Sequence, residues 1–357
     1  MKIILSGGGT LGPVTPLLAI QDIIKRNFPD TEFVWVGTKS GPEKELVEKR
    51  GIKFVTISSG KLRRYISIWN IADIFRIFIG LFQSIKIIWR ENPNFCISAG
   101  GFISVPIHWA AWLLGVSSWI HQQDAVVGLS NKLMSPFAIV ITTALAGNVK
   151  KFNKRKTFWL GNPVRREILA GSRERAFQRF NLKSGLPVVF ATGGGTGSMR
   201  VNQLIIQAVP ELKDACQIIH LSGKERPQDL VDRAVQHFGE FYQVHQFFSE
   251  AMADAYVAAD LVISRGGFGT ISELAALAKP AILIPKPGHQ EENVGFLAEA
   301  GAVVLVDERT ADGNYLAKII KELLSDSAHL KQMGEQLQKM LPVAREEDVV
   351  GVVKVMV

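Results

Sequence analysis

The chain has very little cysteine. Only Cys96 and Cys216 occur in 357 residues. A disulfide framework is therefore excluded as the source of stability, and a reducing compartment suits the composition. Long apolar runs are missing too. No stretch reaches the roughly 18 uncharged apolar residues of a spanning helix. The strongest candidate, 66–89, is broken by Asp73, Arg76 and Lys86. The opening MKIILSGGG turns to glycine too early for a secretory core. Low-complexity tracts are absent, which argues against disorder. No helix-turn-helix, zinc-finger or RNP signature occurs, so no nucleic-acid partner is expected. The lysine of a P-loop is lacking. The glycines from Gly7 onward do not meet G-x-G-x-x-G, and no acidic residue ends the second strand, so ATP and dinucleotide readings weaken. No D-x-D occurs either, so neither a protein-bound metal nor a cofactor is expected.

What is present is a chain of 47% hydrophobic residues, enough for two α/β domains of ordinary size. Its charge is unevenly spread. Residues 1–166 hold 22 Lys+Arg against 9 Asp+Glu, a net of +13, and the rest carries 19 against 24, a net of −5. The first half is the part that polyanions or an anionic membrane surface attract.

Short β-branched strands alternate with helices in both halves, the pattern of a parallel sheet covered on both faces. In the first half, strands are predicted at 3–5, 33–36, 95–98 and 118–121, with helices at 13–26, 43–49 and 105–114. A basic linker, Lys150 to Lys156, precedes Gly161-Asn162-Pro163-Val164-Arg165, and the hinge is expected there. The second half restarts with a strand at 188–191, the loop Gly193-Gly194-Gly195-Thr196-Gly197, a helix at 201–209 and a strand at 217–221.

Most informative is 260–293. A strand at 261–264 leads into Gly266, Gly267 and Gly269. A helix follows, opened by Thr270 or Ser272 and carrying Glu273. A second strand, 281–285, then reaches a polar loop with Gln290 and Asn293. Glycine lets backbone approach a ligand closely, and a helix N-terminus offers N–H donors with a positive dipole end. That combination suits phosphate, and the carboxylate suits ribose hydroxyls. One glycine loop alone is equally well explained by a tight strand–helix turn. Several, each at a strand's carboxyl end where open α/β sheets bind ligands, point to a nucleotide cleft.

These motifs resemble the GT-B glycosyltransferases of family 28, over nearly the whole chain. The resemblance is carried by Gly8-Gly9-Thr10-Leu11-Gly12-Pro13, by Ala99-Gly100-Gly101-Phe102 and by Gly193 to Gly197 with Asn202. It extends to His121-Gln122-Gln123-Asp124 with Gly128-Leu129-Ser130-Asn131-Lys132, to Gly161–Arg165 and to Ser264–Glu273. It implies an α/β GT-B architecture, two Rossmann-like parallel-sheet domains facing across a cleft. Residues 1–161, completed by 342–357, would bind acceptor and membrane, and 162–341 the donor.

The activity implied is inverting transfer of N-acetylglucosamine from UDP-N-acetylglucosamine to lipid I, the lipid-linked muramyl-pentapeptide of peptidoglycan synthesis. Glu273 would hold the ribose. The backbone of Phe268, Gly269, Thr270, Ile271 and Ser272 would hold pyrophosphate and uridine. Arg165, Gly195 and Ser249 would line the donor pocket. Gln290 and Asn293 would face the sugar. Thr10, Leu11, Gly12 and Asp124 would reach the donor from the other domain, and Gly9, Gly100 and Gly101 the acceptor pyrophosphate.

The family's loop histidine is replaced by Pro13, and its H-E-Q-N segment carries Gln122 and Asp124 instead. His121 and Asp124 are the remaining candidates for the general base. Two other readings stay open: a GT-B enzyme acting on a diacylglycerol-type acceptor, and a non-catalytic UDP-sugar-binding homologue. In 61–90, Ile71, Ile74, Phe75, Phe78, Phe82, Ile85 and Trp89 recur at helical spacing, with Arg63, Arg64, Arg76, Lys86 and Arg90 interspersed. The pattern fits an ordinary core helix or an interfacial one on anionic lipid. A lipid-linked acceptor favours the second, and a peripheral location on the cytoplasmic face of the membrane.

Overall fold

The computed structural model describes residues 1–60, 69–195, 197–223, 239–248 and 250–357. The backbone forms two compact units, Met1–Arg165 with Ala344–Val357, and Arg166–Val343. The basic stretch before Gly161 is not a linker. It forms the tight turns Ala146–Lys151 and Lys154–Lys156 and runs into a strand, Thr157–Trp159. Lys156 Nζ donates to the carbonyls of Pro136 and Ala138 at 3.0 and 2.7 Å, so part of this charge neutralises backbone rather than facing a polyanion.

The first unit is built on seven strands: β1 (Lys2–Ser6), β2 (Glu32–Gly37), β3 (Lys53–Thr56), β4 (Phe95–Ser98), β5 (Ser117–Gln122), β6 (Val140–Thr143) and β7 (Thr157–Trp159). All pair in parallel, in the order β3-β2-β1-β4-β5-β6-β7. Successive side chains of β1 leave on opposite faces. Ile3 and Leu5 join Leu17, Trp35 and Trp119 in one core layer, and Ile4 joins Val34, Ile88 and Ile107 in the other. The C-terminal helix Glu346–Met356 closes the first layer through Val349, Val353 and Met356, and Glu346 accepts from Arg26 at 2.9 Å and Asn27 at 2.6 Å.

The second unit has six strands: β8 (Val188–Thr192), β9 (Gln217–Leu221), β10 (Tyr242–His245), β11 (Leu261–Ser264), β12 (Ala281–Leu283) and β13 (Val304–Leu305). Their parallel order is β10-β9-β8-β11-β12-β13. In each sheet the direction of chain progression reverses once, between β1 and β4 and between β8 and β11. A crevice opens at such a point outside the strand ends, and all four of those strands run into glycine-bearing loops there.

Among the described residues no helix is long and apolar enough to cross a membrane. Helix Trp69–Glu91 is nevertheless not an ordinary core helix. Ile87 and Ile88 are buried, but Phe75, Phe78 and Phe82 are 66%, 57% and 71% exposed. Gly80 is the contact point on its inner face, where an added Cβ would lie 2.1 Å from the Ser58 carbonyl and 3.5 Å from the Pro106 ring. Residues 61–68 lie outside the described residues, as do the side chains of Ile71 and Ile74.

Candidate functional site

In the second unit the loop after β8 and the helix after β11 converge. Thr192 ends β8, and its hydroxyl accepts from the Gly194 N–H at 3.1 Å. Ser198 then caps helix Met199–Leu212 by accepting from Val201 N–H at 3.3 Å. The turn between them is so tight that a Cβ on Gly193 would sit 2.2 Å from the Ser198 nitrogen. A Cβ on Gly194 would lie 3.9 Å from Thr270 Oγ1, so the two features line one concavity. Gly195 is exposed. Thr196 lies outside the described residues.

The helix after β11 is Phe268–Ala276, with its cap at Gly267 and not at Thr270 or Ser272. Gly267 is its N-cap, in an extended conformation (φ −74°, ψ 128°) that turns the chain from strand into helix without a side-chain cap. The N–H of Ile271 already bonds to Gly267 O at 3.1 Å. Ile271 and Ser272 are therefore poor anion donors: both are buried, and the Ser272 hydroxyl is spent on Phe268 O at 2.7 Å. The N–H groups of Phe268, Gly269 and Thr270 are those of the first turn, which a helix leaves for a ligand.

Glu273 is the sixth residue of this helix, about 7.5 Å along the axis from the first at 1.5 Å per residue. Helical side chains lean back toward the N-terminus, so its carboxylate serves the space just beyond an anion held at the first turn. It is 7% exposed and accepts from the Tyr256 hydroxyl at 3.1 Å.

Arg265, which pattern reasoning missed, ties the floor together. Its Nε donates to Ser198 Oγ at 2.8 Å, its Nη1 donates to Ile284 O at 3.1 Å, and it pairs with Glu308. Gly266 is packed against Val294, where a Cβ would come within 2.5 Å. Asn293 is buried and Gln290 half-buried, and Gln290 Oε1 accepts from the Lys286 N–H at 2.9 Å. Ser249 lies outside the described residues.

Beneath the same loops, His220 on β9 is fully buried. Its ring nitrogens meet Tyr242 Oη at 2.7 Å and Asn202 Oδ1 at 3.0 Å. An amide oxygen can only accept, so Nε2 carries the proton and Nδ1 accepts from the phenol. Burial pushes the imidazole from 6.5 down to about 3. Below pH 6.5 the unfolded chain takes up a proton that the folded one refuses. Stability is therefore whole above 6.5 and falls with pH, by about 1.4 kcal/mol per unit for this group. Urea unfolding of the protein at pH 7.5 and 5.5 is expected to show this loss, and His220→Gln is expected to shrink the difference. An unchanged difference would put the acid sensitivity elsewhere.

In the first unit, the loop from Gly7 to Gly12 is braced from below. Gly9 N–H donates to Glu43 Oε2 at 3.1 Å, while Glu43 Oε1 accepts from Thr38 N–H at 2.7 Å and Thr38 Oγ1 at 2.5 Å. Glu43 is fully buried, another residue not singled out by pattern. Gly9 has φ +79° and meets the Phe102 ring. Gly100 and Gly101 also hold positive φ, +96° and +89°, which favours glycine there. The Ser104 hydroxyl, 2.8 Å from Ser6 O and 2.9 Å from Gly100 O, ties the ends of β1 and β4 together. Thr10 and Gly12 are exposed and Leu11 half-buried. Pro13 directly precedes helix Val14–Asn27, a position its fixed φ suits.

The structure keeps His121 at the end of β5 and corrects the environment expected of it. It is a sheet-interior residue, fully buried, with Nδ1 2.9 Å from the Thr142 hydroxyl that also accepts from Trp119 Nε1 at 2.8 Å. Burial pushes its pKa down to about 3, far from the neutral range in which a general base works well. Asp124, half-buried, lies on the loop beyond β5. Gln122 stitches that loop. Its Nε2 donates to Asp124 O at 2.7 Å and Val126 O at 3.2 Å, and its Oε1 accepts from Asn131 at 2.7 Å. Arg165, half-buried, is the last residue of the unit before the crossing.

Residues 3–143 match the glycosyltransferase family 28 N-terminal domain, and residues 188–347 match the glycosyltransferase family 28 C-terminal domain. The chain belongs to glycosyltransferase family 28. Two curated relatives carry the name UDP-N-acetylglucosamine--N-acetylmuramyl-(pentapeptide) pyrophosphoryl-undecaprenol N-acetylglucosamine transferase. That from Desulforamulus reducens is 33% identical over 353 residues, covering 95% of this chain and 94% of the relative. That from Clostridium kluyveri is 37% identical over 338 residues, covering 93% and 94%. Among solved structures, Acinetobacter baumannii MurG superposes with a TM-score of 0.74 at 22% identity, covering 99% of both chains. The S. aureus MnaA–UDP co-structure gives 0.69 at 13% identity, covering 99% of this chain and 96% of that one. At those identities the structures speak for the fold: an α/β family-28 chain with two Rossmann-like parallel-sheet units of the GT-B class.

Proposed function

We propose that this family-28 chain transfers N-acetylglucosamine from UDP-N-acetylglucosamine to the muramyl C4 hydroxyl of lipid I, with inversion at the anomeric carbon. The observation that carries this reading is the 33–37% identity, over more than nine-tenths of the chain, to two relatives named for that transfer. The acceptor hydroxyl forms the new bond to the anomeric carbon, the bond to the UDP oxygen breaks, and the hydroxyl proton passes to a base. Asp124 is the better candidate for that base, since His121 is sealed in the sheet with a depressed pKa.

Charge growing on the departing diphosphate would be met by the first-turn amides of Phe268, Gly269 and Thr270, worth most where water is scarce. Glu273 would hold the ribose, and Gln290 and Asn293 the sugar hydroxyls. Gly195, Arg165 and Ser249 complete the donor contacts in this reading. Gly9, Gly100 and Gly101 would cradle the acceptor pyrophosphate, with Thr10, Leu11 and Gly12 toward the donor sugar.

A lipid-linked acceptor needs an enzyme that sits on its membrane. Phe75, Phe78, Ile79 and Phe82 are exposed at helical spacing on Trp69–Glu91, and Trp112, Leu113 and Leu114 are exposed at the end of helix Ser104–Leu113, which packs against it. Exposed apolar side chains recurring on one helix face suit an interfacial surface. The basic balance of the first half suits anionic lipid on the cytoplasmic face. Each phenylalanine buried in the interface contributes about 1.5–3 kcal/mol. Phe75→Asp with Phe82→Asp is therefore expected to lower binding to phosphatidylglycerol vesicles about tenfold or more, read by co-sedimentation. Undiminished binding would remove this face from the membrane assignment.

Turnover tests the whole. UDP release is expected only when UDP-N-acetylglucosamine and a soluble lipid I analogue are both supplied. Release with a diglyceride and none with lipid I would move the chain to another acceptor class. Pro13, in place of the family's loop histidine, favours a second reading as a UDP-sugar-binding homologue without turnover. Tight UDP binding with no release on any acceptor would select it.

A further inference from the structure

Within the donor reading of Glu273, on which this rests, one more side chain has a defined task. We propose that Tyr256 is the positioning residue for the ribose carboxylate, and that an aromatic stack holds its hydroxyl in place. Tyr256 lies on helix Met252–Ala258, is 1% exposed, and donates to Glu273 Oε2 at 3.1 Å. Its ring meets Phe190 of β8 edge-on, with centroids 5.3 Å apart at 82°. Phe190 stacks on Phe248 at 6.2 Å, and Phe248 contacts His245 at 4.9 Å and Phe180 at 5.5 Å. The stack runs from the residue just before Ser249 to the hydroxyl on Glu273.

The chemistry follows from what a carboxylate can do. An ionised carboxylate has about four lone-pair directions and no donor. Without a fixed donor it rotates about its terminal bond, because that torsion is broad and roughly two-fold. A phenol on one oxygen stops that rotation and leaves acceptor capacity for a pair of vicinal hydroxyls. Tyrosine suits the task because its rigid ring can be clamped by neighbouring rings while its tip hydrogen-bonds. Tyr256 touches the carboxylate, not the ligand, so it acts through Glu273.

The experiment is calorimetry of the full chain with UDP and with its 2′-deoxy and 3′-deoxy analogues, on wild type, Tyr256→Phe, Glu273→Ala and the double variant. The phenyl ring keeps the stack, so the melting temperature of Tyr256→Phe is expected to stay close to that of wild type. Its UDP affinity is expected to fall about tenfold, the scale of one hydrogen bond to a charged group. Its preference for UDP over the deoxy analogues is expected to shrink, and the tyrosine change is expected to cost nothing further once Glu273 is alanine. Equal weakening toward UDP and both analogues would overturn the proposal, because a merely structural role weakens all three alike. So would an unchanged preference, or an additive double variant. If Tyr256→Phe does not fold, Glu273→Ala alone decides: retention of the full ribose preference overturns both roles. Failure of wild type to bind UDP sinks the donor reading itself and is distinguishable from every other outcome.

Discussion

Glu273→Ala is expected to weaken UDP binding by about a hundredfold or more, since two hydrogen bonds from ribose hydroxyls to a charged acceptor are each worth about 1.5–3 kcal/mol. The carboxylate is 7% exposed and sits in the second turn of the helix whose first turn offers its amides. Uracil and diphosphate contacts are untouched by the change, so the loss should appear for UDP and UDP-N-acetylglucosamine alike and be nearly absent for the 2′,3′-dideoxy analogue. In kinetics it should raise KM for the donor far more than it lowers kcat, the mark of binding that is equal in ground and transition states. Inorganic pyrophosphate should compete as well against the variant as against wild type. Glu273→Gln should fall between, because the amide keeps one acceptor oxygen for Tyr256 or for the ligand, not both. Calorimetry that found the alanine variant binding UDP within threefold of wild type would remove Glu273 from the donor site.

Part of this site is legible without coordinates. The strand Leu261–Ser264, the glycines after it and the neighbourhood of Glu273 follow from a short apolar run that turns abruptly into glycine, and the structure has the strand at the predicted bounds. The helix start is harder to read, because Thr270 and Ser272 are good caps by type. Here Gly267 takes the cap position, and Ser272 bonds back to Phe268 O instead. Strand β7 is not legible in the sequence because Phe158 and Trp159 lie next to five basic residues whose composition reads as linker. His121 stands at the predicted strand end, but alternation along a strand does not say which face is sealed when both are covered. Glu43 and Tyr256 were beyond reach for a different reason. Glu43 at a helix start is ordinarily a solvated dipole partner, and a tyrosine in an alanine-rich helix is ordinarily core. Only tertiary contacts reveal that each brings a polar atom to a loop or carboxylate.

Glu43→Gln carries the other large expected effect, on the acceptor side. The Glu43 carboxylate is enclosed by three glycines. A Cβ on Gly8 or Gly41 would fall 2.2 or 2.0 Å from its oxygens, and one on Gly37 would fall 3.2 Å away. It accepts from Gly9 N–H on one oxygen and from Thr38 N–H on the other. Glutamine has the same shape but only one acceptor. Whichever way the amide turns, its NH2 faces a backbone N–H that has lost its partner, and the glycine cage leaves no room to turn away. A buried donor left unsatisfied costs about 1–3 kcal/mol. Relief comes most readily by letting Gly9 and its loop lift off, because Thr38 is anchored at the end of β2 while Gly9 heads an exposed turn. The loop that would cradle the acceptor pyrophosphate is then the part that loses order. KM for a lipid I analogue should rise about tenfold or more, on the scale of one such penalty. UDP affinity, which in this scheme rests on Arg165 and residues 166–343 and not on the Gly7–Gly12 loop, should stay within twofold. Steady-state kinetics with each substrate varied, beside UDP calorimetry, separates the cases. Equal damage to both substrates would mean that Glu43 supports the fold at large, and no damage to either would mean that the loop keeps its shape without it.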